Sequence, residues 1–176
     1  MGEENAMPII DIRGGHGAGK SFLAQLVIGY CGGAQRVMPG CCITQDHDVF
    51  SLKTDTGQTK ESLGKALVRM QQHKRGIIEG IVSAHTKGRY LELALRPGYT
   101  VAYLPTPLPR CKGRVLVRRK ATKNKHTGKP PNFVNVVNEY HKVQRVVEWF
   151  NGVGASVVYL DWKNPLPQTL EILEIA

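Results

Sequence analysis

The stretch Gly14-Gly15-His16-Gly17-Ala18-Gly19-Lys20-Ser21 decides the fold, because a short apolar run precedes it and helical spacing of apolar residues follows it. Glycines let backbone N–H groups turn toward an anion, and a helix beginning near Gly19 adds its positive end. Lys20 supplies an ammonium for phosphate oxygens, and Ser21 supplies a hydroxyl of the kind that Mg²⁺ prefers. The whole stretch therefore predicts a binding site for ATP and Mg²⁺, with Ser21 as a metal ligand.

Outward from this stretch, apolar runs alternate with segments of helical spacing along the entire chain. Alternation of this kind predicts a three-layer α/β fold with a mostly parallel five-stranded sheet, in a single domain over residues 1–176. Ligands of such sheets gather at the carboxyl ends of the strands, so Ser21, Asp46, Glu79 and Pro105 are expected at one shared rim. The strands are predicted at residues 7–12, 41–44, 76–81, 99–104 and 155–160, and the helices at 22–30, 61–74, 89–95, 110–120, 133–150 and 166–175.

Composition limits the partners that this chain can have. The 176 residues carry a net charge of +10, with a pI near 9.6, which favours nucleotides or nucleic acid as partners. The four cysteines lack zinc-site spacing, and we expect them to be reduced. No apolar run approaches the ~20 residues of a membrane span, and the first residues are acidic rather than signal-like. We therefore expect a soluble intracellular protein without a membrane partner; the sequence leaves its oligomeric state open.

Four acidic side chains are candidates for work at the phosphate site. Glu79 follows two isoleucines of a predicted strand, where a carboxylate is costly without a partner, and it is expected to bind Mg²⁺ or the acceptor. Asp46 and Asp48 follow the predicted strand 41–44, and Asp55 precedes the next helix. As carboxylates near a transferring phosphate, Asp46 and Asp55 are candidate catalytic groups, and with Asp48 they are candidates for substrate binding.

The segment from Leu93 to Asn138 contains no acidic residue but ten Lys and Arg residues. It includes a predicted basic helix and a turn-rich loop, which together predict a basic lid over about residues 110–131. Such a lid excludes water, and together with the lack of a strand ending in Asp it favours phosphoryl transfer to a hydroxyl over hydrolysis. Arg114 and Arg118 lie one helical turn apart and are predicted to neutralise the transferring phosphate. The further lysines of the loop suit a polymer with many phosphates.

These motifs, in this order, resemble those of the nucleotide and polynucleotide kinases among the P-loop kinases. The resembling segments are Gly14–Ser21, residues 76–80 with Arg89, and residues 107–114 with Arg118-Arg119. More narrowly, the chain is similar to small kinases of bacteriophages, one group of which phosphorylates 5-hydroxymethyluracil bases in phage DNA. The resemblance implies that Lys20, Ser21 and the lid arginines bind ATP. It also implies that Arg89 contacts the substrate and that an acidic residue near Asp46 or Asp55 faces the acceptor hydroxyl. It further implies that DNA is the partner and that the protein works in the host cytoplasm.

Two departures from these families leave the acceptor open. His47 interrupts the acidic pair that kinases of 5′-hydroxyl ends usually carry, and Glu79-Gly80 stands where thymidylate-type kinases usually carry Asp-Arg. A kinase of free nucleosides or nucleoside monophosphates and a 5′-hydroxyl polynucleotide kinase therefore remain alternatives. A nucleotide-sensing DNA-binding module without transfer activity is the alternative of another class.

Overall fold

The computed structural model describes residues 6–54, 60–80, 89–121 and 133–176, with the backbone alone at 60, 89–91 and 119–121. Within these residues the chain forms one seven-stranded sheet and six helices. The elements in chain order are β1 (Ile9–Arg13), α1 (Lys20–Tyr30), β2 (Ala34–Met38), β3 (Cys41–Thr44), β4 (Val49–Lys53), α2 (Lys60–Met70), β5 (Arg75–Glu79), α3 (Arg89–Ala94), β6 (Tyr99–Tyr103), α4 (Leu108–Ala121), α5 (Val134–Gly152), β7 (Ser156–Tyr159) and α6 (Leu166–Ile172).

The sheet has the order β2-β3-β4-β5-β1-β6-β7, with β1 near its centre. Strands β4, β5, β1, β6 and β7 run parallel to one another, whereas β3 pairs antiparallel with both β2 and β4. The chain leaves β1 toward one side of the sheet and later crosses to β6 on its other side. The loop after β1 therefore lies at the switch point of the sheet, where ligands of parallel sheets bind.

Helices cover both faces of the sheet, which gives the three layers expected from the sequence. On one face, Ile10 and Ile12 of β1 pack with apolar residues of α1 and with residues that follow α6. On the other face, Ile9 packs with residues of α2, α3 and α5. Successive side chains of a strand point to opposite faces, so β1 supplies isoleucines to both cores.

The prediction of five strands is wrong in number, although five strands do run parallel. The segment Cys41–Thr44, expected in the parallel set, is an antiparallel strand between β2 and β4. Its predicted place is taken by Val49–Lys53, which pairs in parallel with β5 and is buried at its first four residues. A short antiparallel strand and a short buried parallel strand have similar apolar patterns, so the sequence alone did not separate them.

The predicted helices all occur, with ends within a few residues of the expected positions. The lid was predicted over about residues 110–131; its first part is helix α4, which begins at Leu108, and residues 122–131 lie outside the described part of the chain. None of the helices in the described segments is long and apolar enough to cross a membrane.

A buried ion pair on β1 was not foreseen from the sequence. The carboxylate of Asp11 accepts hydrogen bonds from Nε of Arg13 at 2.9 Å and from its Nη2 at 3.0 Å. It also accepts one from the hydroxyl of Tyr99 at 2.6 Å, and the Arg13 guanidinium lies 5.1 Å from the ring centre of Phe150. Both charged side chains are fully buried, so the pair fixes the end of β1 immediately before the glycine stretch.

Candidate active site

The loop between β1 and α1 has the backbone shape that its glycines allow. Gly17 has φ of 77° and Gly19 has φ of 102°, a region that residues with a Cβ rarely adopt. A Cβ at Gly17 would overlap the carbonyl oxygen of Cys111 on α4, so this position also needs glycine for space. The first N–H groups of α1 have no side-chain cap at Gly19 and are available to an anion.

Lys20 bends back over the loop. Its ammonium donates hydrogen bonds to the carbonyl oxygens of Gly14 at 2.8 Å and Gly15 at 3.1 Å. Burial lowers the pKa of Lys20, attraction from Glu79, Cys111 and Glu139 raises it, and repulsion from Arg118 lowers it further. A phosphate group beside this ammonium would favour its charged form, so the lysine is suited to an anionic ligand.

Ser21 and Glu79 meet at the rim, although 58 positions separate them in the sequence. The Ser21 hydroxyl lies 3.3 Å from both carboxylate oxygens of Glu79. Burial raises the pKa of Glu79, while Lys53, Lys20 and the hydrogen bond from Ser21 lower it. The backbone N–H and hydroxyl of Thr54 both donate to the carbonyl of Glu79, at 2.9 and 3.1 Å, and fix the end of β5.

Two hard oxygen ligands at this place fit Mg²⁺, which takes few protein ligands and keeps waters and phosphate oxygens. In the described part of the chain, no group of three or more His, Cys, Asp or Glu side chains is arranged to hold a metal. The donor set of Ser21 and Glu79 suits a metal ion that completes its coordination with water or phosphate oxygens.

Helix α4 holds the glycine loop from the outside. Arg114 Nη1 donates to the carbonyl of Ala18 at 2.8 Å and to that of Gly17 at 3.3 Å. The hydroxyl of Thr106, just before α4, donates to the same Ala18 carbonyl at 2.7 Å. Arg118 lies close enough to Lys20 to lower its pKa. The structure thus brings both predicted arginines to the loop, and Arg114 reaches the loop backbone itself.

Asp46 and Asp48 do not lie at this rim, and the expectation that Asp46 shares it with Ser21 is wrong. Because β3 runs antiparallel, its carboxyl end lies at the opposite edge of the sheet. The backbone N–H of Asp46 bonds to Cys31, just past the far end of α1. Eleven helical residues separate that end from the loop, a distance of about 16 Å. A catalytic or substrate-binding role for Asp46 at the phosphate site is therefore inconsistent with its position.

Asp48 has a structural partner at that far edge. Its carboxylate contacts Nδ1 of His73 at 2.7 Å and accepts a hydrogen bond from the Lys74 backbone at 3.0 Å. The predicted substrate role of Asp48 is therefore also wrong. Of the remaining acceptor-side candidates, Asp55 and the side chain of Arg89 lie outside the described part of the chain, so their roles stay predictions.

Two further features lie on α4 and α5, the helices that contact the loop, and the second of them, Glu139, was not expected from the sequence. Arg110 at the start of α4 lies 6.0 Å from the ring centre of Trp162, which follows β7, and Lys163 lies 5.6 Å from the same ring. Glu139 of α5 is close enough to Lys20 to raise its pKa. The sequence did contain one signal that could have drawn attention to Glu139, since it is the first acidic residue after the acid-free segment from Leu93 to Asn138.

The switch-point loop, Lys20 and the Ser21–Glu79 pair together form the arrangement of a phosphate-binding loop beside a hydroxyl and a carboxylate that suit a metal ion. No family model matches the chain, and no curated protein matches it. Among solved structures it is similar to shikimate kinase from Acinetobacter baumannii in complex with shikimate, with 18% identity, a TM-score of 0.49, and coverage of 97% of this chain and 93% of that one.

A second similar structure is deoxyadenosine kinase from M. mycoides with bound dATP. The identity is 12% and the TM-score 0.48, over 96% of this chain and 100% of that one.

Proposed function

We propose that the protein is an ATP- and Mg²⁺-dependent kinase that transfers the γ-phosphate of ATP to a hydroxyl group. The observation that carries the proposal is the convergence of Lys20, Ser21 and Glu79 on the glycine loop at the switch point of the sheet. A phosphate would replace the loop carbonyls that now accept hydrogen bonds from Lys20, and a metal ion would replace the hydrogen bond between Ser21 and Glu79. Such an arrangement binds the triphosphate and the metal together.

The residues around the loop have separate tasks in this reaction. The Lys20 ammonium would leave the carbonyls of Gly14 and Gly15 and bind the outer phosphates. Ser21 and Glu79 would hold Mg²⁺, which when bound draws charge away from the phosphate oxygens. Arg114 and Thr106 keep the loop carbonyls turned outward, so that the loop N–H groups remain directed at the ligand. Arg118 is placed to offset charge on the transferring group.

The acceptor that we propose is a hydroxyl carried by DNA, most specifically the hydroxymethyl group of 5-hydroxymethyluracil. The support is charge: the segment from Leu93 to Asn138 has ten basic and no acidic residues. On α4, Arg110, Arg114 and Arg118 are exposed at or near the loop. Several cations beyond those that one triphosphate needs suit the phosphates of a nucleic acid strand.

The test is transfer of labelled phosphate from ATP to DNA that contains 5-hydroxymethyluracil, beside free nucleosides, nucleoside monophosphates and 5′-hydroxyl oligonucleotides. We expect label in the modified DNA, with an affinity that falls about tenfold or more for a fourfold rise in salt. Label on free nucleosides or monophosphates alone would contradict the DNA acceptor, and label on 5′ ends would indicate a polynucleotide kinase. DNA binding with no transfer to any acceptor would indicate a nucleotide-sensing module.

A further inference from the structure

Glu139 on α5 has a carboxylate oxygen that the fold does not use. Its Oε2 is buried, and it has no hydrogen-bond partner within the described part of the chain. Buried polar atoms of folded proteins nearly always have partners, since an unpartnered one opposes folding. An unused buried carboxylate oxygen therefore needs a reason outside the fold itself, and a bound ligand with a hydrogen-bond donor is such a reason.

The position of Glu139 connects this oxygen with the phosphate site. The backbone of α5 passes directly beside the loop, because a Cβ at Gly15 would lie 3.3 Å from Cα of Tyr140. Glu139 also raises the pKa of Lys20 by attraction. Along α5 it shares one face with Val143, Val146 and Phe150, which are all buried. The carboxylate is therefore directed inward and lies near the ammonium that meets the outer phosphates.

A carboxylate at this place limits what can lie beside it. The negative charge of the Glu139 carboxylate would repel an anionic acceptor group, such as a phosphate, that approached the transferring phosphate. A neutral hydroxyl, in contrast, would donate a hydrogen bond to the unused oxygen. The metal ion already has a fitting pair of ligands in Ser21 and Glu79, whose hydroxyl and carboxylate are in contact with each other.

We propose that Glu139 binds the hydroxyl of the acceptor and takes its proton during transfer, so that the acceptor is a neutral alcohol and not a phosphate. This inference rests on the proposed kinase function. In the step, the acceptor O–H bond breaks and its proton moves to Oε2 of Glu139. The acceptor oxygen forms a bond to the γ-phosphorus, and the bond from that phosphorus to the bridging oxygen breaks. Its electron pair stays on ADP.

The experiment compares Glu139→Gln with Glu148→Gln, an exposed glutamate on the same helix as the matched control. The glutamine keeps the shape of the side chain but cannot take the proton. Three quantities are measured for each protein: binding of ATP·Mg²⁺ by calorimetry, transfer to the alcohol acceptors and to thymidine monophosphate, and slow hydrolysis of ATP, in which water replaces the alcohol. Thermal unfolding of each variant reports on folding.

We expect Glu139→Gln to lower kcat by about 100-fold in transfer and in hydrolysis, while the Kd for ATP·Mg²⁺ and the KM for ATP change by less than about threefold. Its Tm should not fall, because the buried Oε2 has no hydrogen-bond partner among the described residues to lose. Glu148→Gln should match the unchanged protein. Thymidine monophosphate should be a poorer acceptor than the alcohols by about 100-fold or more.

Other results would overturn the inference in distinct ways. Unchanged kcat in Glu139→Gln, a loss of rate matched by a loss of Tm, or a preference for monophosphates would each remove the proton-accepting role. Recovery of the full rate at high Mg²⁺ would make Glu139 a metal ligand instead. A protein that binds ATP·Mg²⁺ but acts on neither alcohols nor water would also contradict it. Failure to bind ATP·Mg²⁺ at all would contradict the proposed function itself.

Discussion

Replacement of Glu79 by glutamine should change stability and metal binding in opposite directions. The carboxylate is only 3% exposed, and burial raises its pKa. Because the folded-state pKa lies above the unfolded one, folding favours the protonated form. The contribution of the Glu79 carboxyl to stability is fully present at pH values below the unfolded-state pKa. It is lost as the pH rises through the folded-state pKa. At neutral pH the buried charge therefore lowers the free energy of unfolding.

The size of the change in the free energy of unfolding depends on which interactions the glutamine of Glu79→Gln retains. Its side-chain oxygen can still accept the hydrogen bond from Ser21, which lies 3.3 Å from the carboxylate oxygens. The charge is lost together with its attraction to Lys53 and Lys20, but the cost of burying it is larger. The free energy of unfolding should therefore rise by about 1 kcal/mol, equivalent to a Tm increase of about 2–4 °C. Without the negative charge, however, the affinity for Mg²⁺ in the presence of ATP should fall about 10- to 100-fold.

The assay is thermal unfolding with a chelator at about pH 4 and about pH 8, followed by Mg²⁺ titration of ATP binding at the higher pH. The Tm difference should be present at the higher pH and vanish at the lower one, where the carboxyl is protonated in both states. Glu61→Gln is the control, because Glu61 forms an exposed ion pair with Lys65 on α2. A Tm that falls at the higher pH, together with unchanged Mg²⁺ dependence, would show that Glu79 is a structural residue.

Three further predictions concern the loop and the strand before it. Lys20→Ala should lower phosphoryl transfer by about 100-fold or more with little change in Tm, measured with labelled ATP. Gly17→Ala should lower the free energy of unfolding by about 2 kcal/mol and weaken ATP binding, because it combines a positive φ with overlap on Cys111. Asp11→Ala should lower the free energy of unfolding by about 3–5 kcal/mol, measured in urea, because the buried Arg13 guanidinium loses the carboxylate that accepts two of its hydrogen bonds. The double replacement of Asp11 and Arg13 by apolar residues should recover part of that loss.

The phosphate loop and its neighbours were predictable because their signal is local. The spacing of glycines, Lys20 and Ser21 between a strand and a helix needs only neighbouring residues to be read. The acid-free segment and the helical spacing of Arg114 and Arg118 likewise predicted that these arginines would lie near the loop. Glu79 was singled out from the cost of a carboxylate inside an apolar strand, and the structure brings it into contact with Ser21; the metal site itself stays a prediction.

The placement of Asp46 depended instead on the direction of a strand. Hydrogen-bond pairing between distant segments decides whether β3 runs parallel or antiparallel to the sheet, and no single segment encodes that choice. Because β3 runs antiparallel and not parallel as predicted, Asp46 and Asp48 lie at the opposite edge of the sheet. The strand Val49–Lys53 was likewise not predicted, because it is short. Its parallel pairing with β5 places Lys53 beside Glu79.

The sequence by itself determined the α/β class, the phosphate loop and the basic character of the segment over it, because each depends on neighbouring residues and on composition. Only the tertiary structure decided which carboxylates reach that loop. Helix α5 had to pack against Gly15 before Glu139 could lie near Lys20, 119 positions away in the chain. Contacts of that kind arise from packing between separate elements, and the spacing of neighbouring residues does not determine that packing.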